Sequence, residues 1–228
     1  MSPKSSTLCC PESENSVVFS DSYNFPVRPY ESIGSFCKDY ADLWRTAMDS
    51  LDLFQMTQAT DCLTDAIRNR NTIFVCGNGG SAAVANHLHC DFLKGVQTGT
   101  DLLPKVVSLP ANFELLLAIA NDGTYDDVFV YPLRSMASKG DVLLTISSSG
   151  NSENIVRALQ WAKANGLRTI AMTGFEGGRS RVLADISLHV DAGNYGIVEN
   201  CHDTLAHMLA QYIRLSHTKL EHIPSTKF

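Results

Sequence analysis

Ile73-Phe74-Val75-Cys76-Gly77-Asn78-Gly79-Gly80-Ser81-Ala82-Ala83 is an apolar, β-prone run that stops at a glycine-rich turn and passes into an alanine-rich helical segment. Strand, turn and helix in that order make the turn suited to an anion. Glycines adopt backbone angles closed to other residues and let a ligand approach the main chain, and the first free N–H groups of a helix donate to phosphate oxygens. Gly77, Gly79 and Gly80 supply the first property, and Ser81 adds a hydroxyl. A bare structural turn after a strand has the same look. The stretch matches neither the dinucleotide fingerprint nor the P-loop, because no Lys-Ser/Thr follows the glycines.

A second turn of similar chemistry follows another apolar run. Val142-Leu143-Leu144 leads into Thr145-Ile146-Ser147-Ser148-Ser149-Gly150-Asn151-Ser152, and a helical pattern comes next. Two strand ends therefore offer hydroxyls and backbone donors at the carboxyl edge of a sheet, where open α/β folds bind ligands. Strand-like runs over 72–76, 105–109, 141–147, 168–173 and 186–190 alternate with helical patterns over about 80–94, 112–121, 126–137, 152–165, 178–184 and 198–218. Short, nearly all-apolar strands alternating with helices predict an α/β fold: a five-stranded parallel sheet buried on both faces. Ser152 reads as a helix start and Asn165-Gly166 as a helix stop. Apolar residues at helical spacing between Tyr30 and Arg70 predict two extra N-terminal helices, which either cover a face of the domain or form a subunit interface. Residues 1–28, rich in Ser and Pro, are expected to be a disordered leader, leaving 29–228 as a single domain.

Composition narrows the function. The 228 residues carry 24 acidic and 18 basic side chains, a formal net charge of −6, which argues against a general nucleic-acid binder. No apolar run approaches the ~20 residues that span a bilayer, and the first residues lack the apolar stretch of a secretory signal, so a cytoplasmic protein is expected. The seven cysteines are scattered, with no C-x-x-C spacing, and read as reduced thiols.

Ionisable residues cluster on two predicted helices. His87 and Asp91 lie four apart, on one face, and suit a metal, an acid/base pair or a local hydrogen bond. The closing helix carries Glu199, His202, Asp203 and His207 among apolar residues. Charged groups on such a helix either face solvent or converge on something. Glu199 and His207 fall on roughly one side, and with His87 and Asp91 they would form a zinc environment if the helices meet. Asn121-Asp122-Gly123 reads equally as a helix stop and as a place where Asp122 meets a sugar hydroxyl. Glu176-Gly177-Gly178 reads as a turn, and Trp44 and Trp161 as packing residues.

Taken together, Phe74–Asp91, Ala118–Asp122, Gly140–Leu144, Ser147–Ser152 and Thr173-Gly174 with Gly177-Gly178 resemble the sugar isomerase (SIS) domain, and most closely the phosphoheptose isomerases. The resemblance implies interconversion of sedoheptulose 7-phosphate and D-glycero-D-manno-heptose 7-phosphate, a flavodoxin-like sheet, a zinc ion and a homotetramer with sites between subunits. By the same resemblance Ser81, Ser147, Ser148, Ser149 and Ser152 hold phosphate, while Asn78, Gly79 and Asp122 meet the sugar. His87, Asp91, Glu199 and His207 hold the metal, with Glu199 also touching substrate and Asp91 and His207 as the catalytic pair. Asp91 stands where the family has glutamate, Glu199 where it has glutamine, and Gly196-Ile197 where it often has Asp-Arg. The competing readings are a noncatalytic SIS tetramer that binds a phosphosugar or regulates a partner, and an isomerase of another phosphosugar.

Overall fold

A computed structural model describes residues 25–227. Five parallel strands, β1 (Thr72–Gly77), β2 (Lys105–Ser108), β3 (Val142–Ser147), β4 (Arg168–Thr173) and β5 (Ile186–His189), form one sheet in the order β2-β1-β3-β4-β5. The register is continuous across the centre, with Val75 beside Leu144 and Leu144 beside Ile170. This is the flavodoxin-like order that the resemblance implied, with its direction of winding reversed between β1 and β3.

Alternate side chains of each strand feed two cores, because successive residues of a strand point to opposite faces. Ile73, Val75, Leu144, Ile146, Ile170 and Met172 are buried on one face. That face is covered by α1 (Ile33–Asp49), α2 (Leu53–Arg68), α3 (Gly80–Cys90) and the closing α8 (Tyr195–Ser216), whose Val198, Leu205 and Leu209 are buried in the same core. Phe74, Cys76 and Leu143 are buried on the other face, beneath α4 (Phe113–Asp122), α5 (Val130–Met136) and α6 (Glu153–Ala164). The short α7 (Gly178–Leu183) lies between β4 and β5. Trp44 and Trp161 pack against the two cores, one on each face.

The N-terminal helices cover a face, and they also close the open edge of the sheet. At that edge Ser187 N–H donates to Gln55 Oε1 at 2.9 Å, and Asp191 N–H donates to Ser50 Oγ at 2.9 Å. Edge N–H groups left bare would invite pairing with another chain, so these side chains replace a sixth strand. Of the expected leader, residues 1–24 lie outside the described residues, whereas Phe25 is buried among the rings of Tyr30, Phe36 and Tyr40. Cys37, Cys62, Cys76, Cys90 and Cys201 are free thiols, and Cys9 and Cys10 lie outside the described residues. Among the described residues no helix is long and apolar enough to cross a membrane.

Three helices depart from the expected spans for local reasons. The closing helix starts at Tyr195, ahead of position 198, because Asn194 Oδ1 accepts the Ile197 N–H and caps it there. The segment expected over 126–137 begins as a single 3-10 turn at Tyr125–Asp127 before α5 takes over. The helix expected over 80–94 changes at Asp91 into a wider π-helical stretch, Asp91–Val96.

His202 of α8 is fully buried, and neither ring nitrogen has a hydrogen-bond partner. Burial pushes its pKa down to about 4; the Thr173 carbonyl opposes the shift from beyond hydrogen-bond geometry, and His189 adds to it. His189 is itself lowered to about 4, mainly by burial. Folded rings that titrate near 4 and unfolded rings that titrate near 6.5 mean that the unfolded chain binds more protons between those values. The contribution to stability is therefore complete above about pH 6.5 and is lost as pH falls through about 4. Thermal melts in EDTA are expected to show Tm falling across that window, with a shallower fall in His202→Asn; a slope unchanged by the substitution would show that His202 is not responsible.

Candidate active site

The direction change between β1 and β3 sends their following helices to opposite faces, so a crevice opens between the two turns. On the β1 side the chain needs glycine at position 77, where a Cβ would lie 2.5 Å from the Ser81 carbonyl oxygen. That close approach folds the turn back onto the start of α3 and leaves Ser81 buried. On the β3 side Ser147 and Ser148 are buried, and Ser148 Oγ has no hydrogen-bond partner. Ser147 Oγ accepts the Gly150 N–H at 3.2 Å and Ser149 Oγ accepts the Asn151 N–H at 3.3 Å. Ser152 occupies the N-cap of α6, yet its hydroxyl makes no capping bond. An orphan buried hydroxyl costs roughly 1–3 kcal/mol, and Ser148 beside a helix start whose Ser152 hydroxyl makes no bond is chemistry of the kind an anion's oxygens can satisfy.

The serine turn rests on the turn that follows β4, whose glycines read in the sequence only as a turn. Gly174 N–H donates to the Ser148 carbonyl at 3.0 Å, Ser180 N–H and Oγ donate to the Gly150 carbonyl at 2.9 and 2.8 Å, and Arg179 N–H donates to Asn151 Oδ1 at 3.1 Å. Gly150 has φ +64°, and a Cβ there would come within 1.9 Å of the Gly177 carbonyl.

Above α3 the two ionisable stripes meet. Spacing by four puts His87 and Asp91 on one line and Glu199, Asp203 and His207 on another, and α3 packs directly against α8. Each imidazole lies between two carboxylates. His87 Nδ1 is 3.1 Å from Asp203 Oδ1, with its Nε2 3.7 Å from Asp91 Oδ1. His207 Nδ1 is 2.9 Å from Asp91 Oδ2, with its Nε2 3.7 Å from Asp203 Oδ2. The rings stand perpendicular, 4.6 Å apart between centroids. One donor atom each from His87, Asp203 and His207 fall within 4.8 Å of one another. Asp91 is the most sheltered, at 23% exposure, while the other three are 39–45% exposed and open to solvent.

Of the residues singled out by sequence, His87, Asp91 and His207 come together here, and Asp203 joins them. In the sequence Asp203 stands out only as one of four ionisable groups on the helix. Its spacing to His207, the same four residues as His87 to Asp91, was the available signal. Glu199 lies one turn earlier on α8, with its carboxylate against Gly80: a Cβ on Gly80 would sit 2.4 Å from both of its oxygens. It thus lies at the N-terminus of α3, whose cap residue Gly79, at φ 53°, has no side chain to offer. Asn78 pairs with Asn154, two residues beyond the serine turn, and accepts a hydrogen bond from Tyr125 Oη at 2.8 Å. Asp122 ends α4, accepts a hydrogen bond from Asn121 Nδ2 at 2.7 Å, and lines a cleft of about 440 Å³ with Thr124, Tyr131 and Arg134. Asn154 and Tyr125 carried no sequence signal beyond their polarity.

The fold and the paired turns define an SIS domain protein, and residues 35–174 match the SIS domain family. The phosphoheptose isomerase of Aliarcobacter butzleri is 38% identical over 164 residues, spanning 71% of this chain and 86% of that protein. Among solved structures, the phosphoheptose isomerase of Neisseria gonorrhoeae superposes with a TM-score of 0.71 at 30% identity, covering 79% of this chain and 97% of that one. That of Francisella tularensis gives 0.72 at 25% identity, covering 80% and 96%. The chain belongs to the phosphoheptose isomerase family of SIS-domain enzymes.

Gly150→Ala is expected to cost on the order of 3 kcal/mol or more, since backbone strain of ~1–3 kcal/mol is joined by overpacking of similar size. Urea denaturation measures it; a loss under ~1 kcal/mol would show that the turn yields without strain.

Proposed function

We propose that this chain is a phosphoheptose isomerase that interconverts sedoheptulose 7-phosphate and D-glycero-D-manno-heptose 7-phosphate, with zinc held at the imidazole–carboxylate cluster. The observation that carries the reading is the meeting of His87, Asp91, Asp203 and His207 beside two phosphate-competent turns. Two imidazoles with carboxylate oxygens are a donor set that suits zinc. His87 and His207 would hold it with Asp203 or Asp91, and Glu199 is close enough along α8 to add charge to the site. When bound, the ion supplies Lewis acidity toward the substrate's carbonyl and hydroxyl oxygens.

The chain's own residues do the rest. Ser147, Ser148, Ser149, Ser152 and Ser81 fix the phosphate, so the reacting carbons are held near the base and proximity lowers the barrier. Asn78 and the Gly79 backbone meet the sugar oxygens, and Asp122 at the end of α4 takes a further hydroxyl. Asp91 moves the proton between C1 and C2 through a cis-enediol, and His207, whose Nδ1 faces its carboxylate, exchanges protons with the oxygens. The two side chains lie 2.9 Å apart, within reach for a relay between them.

The reading includes a homotetramer and a cytoplasmic setting. Assembly is supported by an apolar groove of about 740 Å³ between α2 and α8, lined by Leu53, Met56, Met208, Tyr212 and Leu215. Buried, unpaired Cys62, Cys76 and Cys201 suit a reducing compartment.

Purified protein is expected to turn over sedoheptulose 7-phosphate, to lose activity on chelation and to regain it with zinc. His207→Ala is expected to lower kcat by ~10²-fold or more, as for loss of a general acid/base. Stoichiometric metal without turnover would point to a different phosphosugar. Binding of phosphosugar with neither metal nor turnover would identify a noncatalytic module.

A further inference from the structure

Asn78 of the glycine turn and Asn154 of α6 face each other across the crevice and exchange two hydrogen bonds. Asn78 Nδ2 donates to Asn154 Oδ1 at 3.0 Å, and Asn154 Nδ2 donates to Asn78 Oδ1 at 2.9 Å. Asn154 is 2% exposed, although asparagine is usually a surface residue. Its orientation is fixed independently: the backbone N–H of Ile155 can only donate, and it meets Asn154 Oδ1 at 2.9 Å. With that oxygen assigned, the Asn154 amide nitrogen must face Asn78 Oδ1, and the orientation of Asn78 follows. Tyr125 Oη then donates to the same Asn78 oxygen at 2.8 Å.

Counting donors and acceptors gives the consequence. A side-chain amide has two acceptor sites and two N–H donors. Both acceptor sites of Asn78 are filled, by Asn154 and Tyr125, and one of its N–H groups is spent on Asn154. One N–H is left. We infer that Asn154 and Tyr125 are positioning residues that lock Asn78 as a single hydrogen-bond donor, so that it recognises an oxygen acceptor on the phosphosugar and cannot rotate to present its own carbonyl. The pair also ties the glycine turn to the segment after the serine turn, so the sugar contact keeps a constant distance from the phosphate cradle. The inference rests on the phosphosugar reading of the site.

If Asn154 acts through Asn78, its effect must vanish when Asn78 is already gone. KM and kcat for sedoheptulose 7-phosphate, with Kd from calorimetry, are to be measured in Asn154→Ala, Tyr125→Phe, Asn78→Ala and the two double variants. Asn154→Ala is expected to raise KM and Kd about tenfold with kcat changed less than threefold, and to add less than twofold in the Asn78→Ala background. Tyr125 is 49% exposed and loses only its hydroxyl, so Tyr125→Phe folds and gives a smaller rise, about threefold, with the same dependence on Asn78. Unchanged KM and Kd in both single variants would overturn the inference, as would equal rises with and without Asn78. Wild-type protein that binds the sugar phosphate but does not turn it over would refute the isomerase reading, and the Kd cycle would still decide the role of the pair. Wild-type protein that does not bind it would overturn both.

Discussion

The reversal of strand order between β1 and β3 is the constraint on which the rest of this molecule depends. Right-handed crossovers carry the chain from β1 outward to β2 on one side and from β3 outward to β4 on the other, so α3 and α6 must lie on opposite faces. Their N-termini are then neighbours with no crossover between them. Backbone donors of both helices, the buried Ser148 hydroxyl and the Asn78–Asn154 pair gather where the topology sets the two strand ends side by side. Side chains did not carve this site; they furnish a crevice that the winding of the sheet had already produced.

Covering the sheet supplies the reactive groups. The face that receives α3 must also receive α8, because Ile146, Ile170 and Met172 need more apolar cover than one helix provides. Burying Val198, Leu205 and Leu209 fixes the rotation of α8, and that rotation presents Glu199, Asp203 and His207 as one line toward α3. Core packing therefore sets the distance between His207 and Asp91. The aspartate reaches His207 Nδ1 at 2.9 Å although it is a methylene shorter than glutamate, and the helix widens into its π-helical stretch at this residue. Such local widenings are common where a helix carries functional groups.

The sequence made the architecture legible because buried parallel strands are short apolar runs and each is punctuated by a turn. All five strands and their order were recoverable from periodicity and resemblance. Helix ends were not, since they depend on single caps such as Asn194. In the site, His87, Asp91 and His207 were legible from spacing and family likeness. Asp203 was harder, because spacing tells which residues share a face and says nothing of which face meets the neighbouring helix. His202 and Asp203 are adjacent, yet one is fully buried beside β4 and the other faces His87. Asn154 was out of reach for a related reason: its partner is 76 residues away, and nothing local to either asparagine announces the pair.

The two turns look equivalent in sequence, and the structure makes them different. At the glycine turn an anion is already present, because the Glu199 carboxylate rests against Gly80 at the start of α3 and takes the favourable end of that helix's dipole. At the serine turn the Ser152 hydroxyl makes no capping bond and Ser148 Oγ is without a partner, while Asn154 Oδ1 takes the Ile155 N–H and Glu153 of the first turn is bonded to Arg157 and Arg179. The two turns therefore differ in what occupies them: a carboxylate at the glycine turn and an unbonded hydroxyl at the serine turn. The imidazole–carboxylate cluster stands over α3, on the glycine side. Glu199, which stands outside the group formed by His87, Asp203 and His207, is the carboxylate that sets the two turns apart.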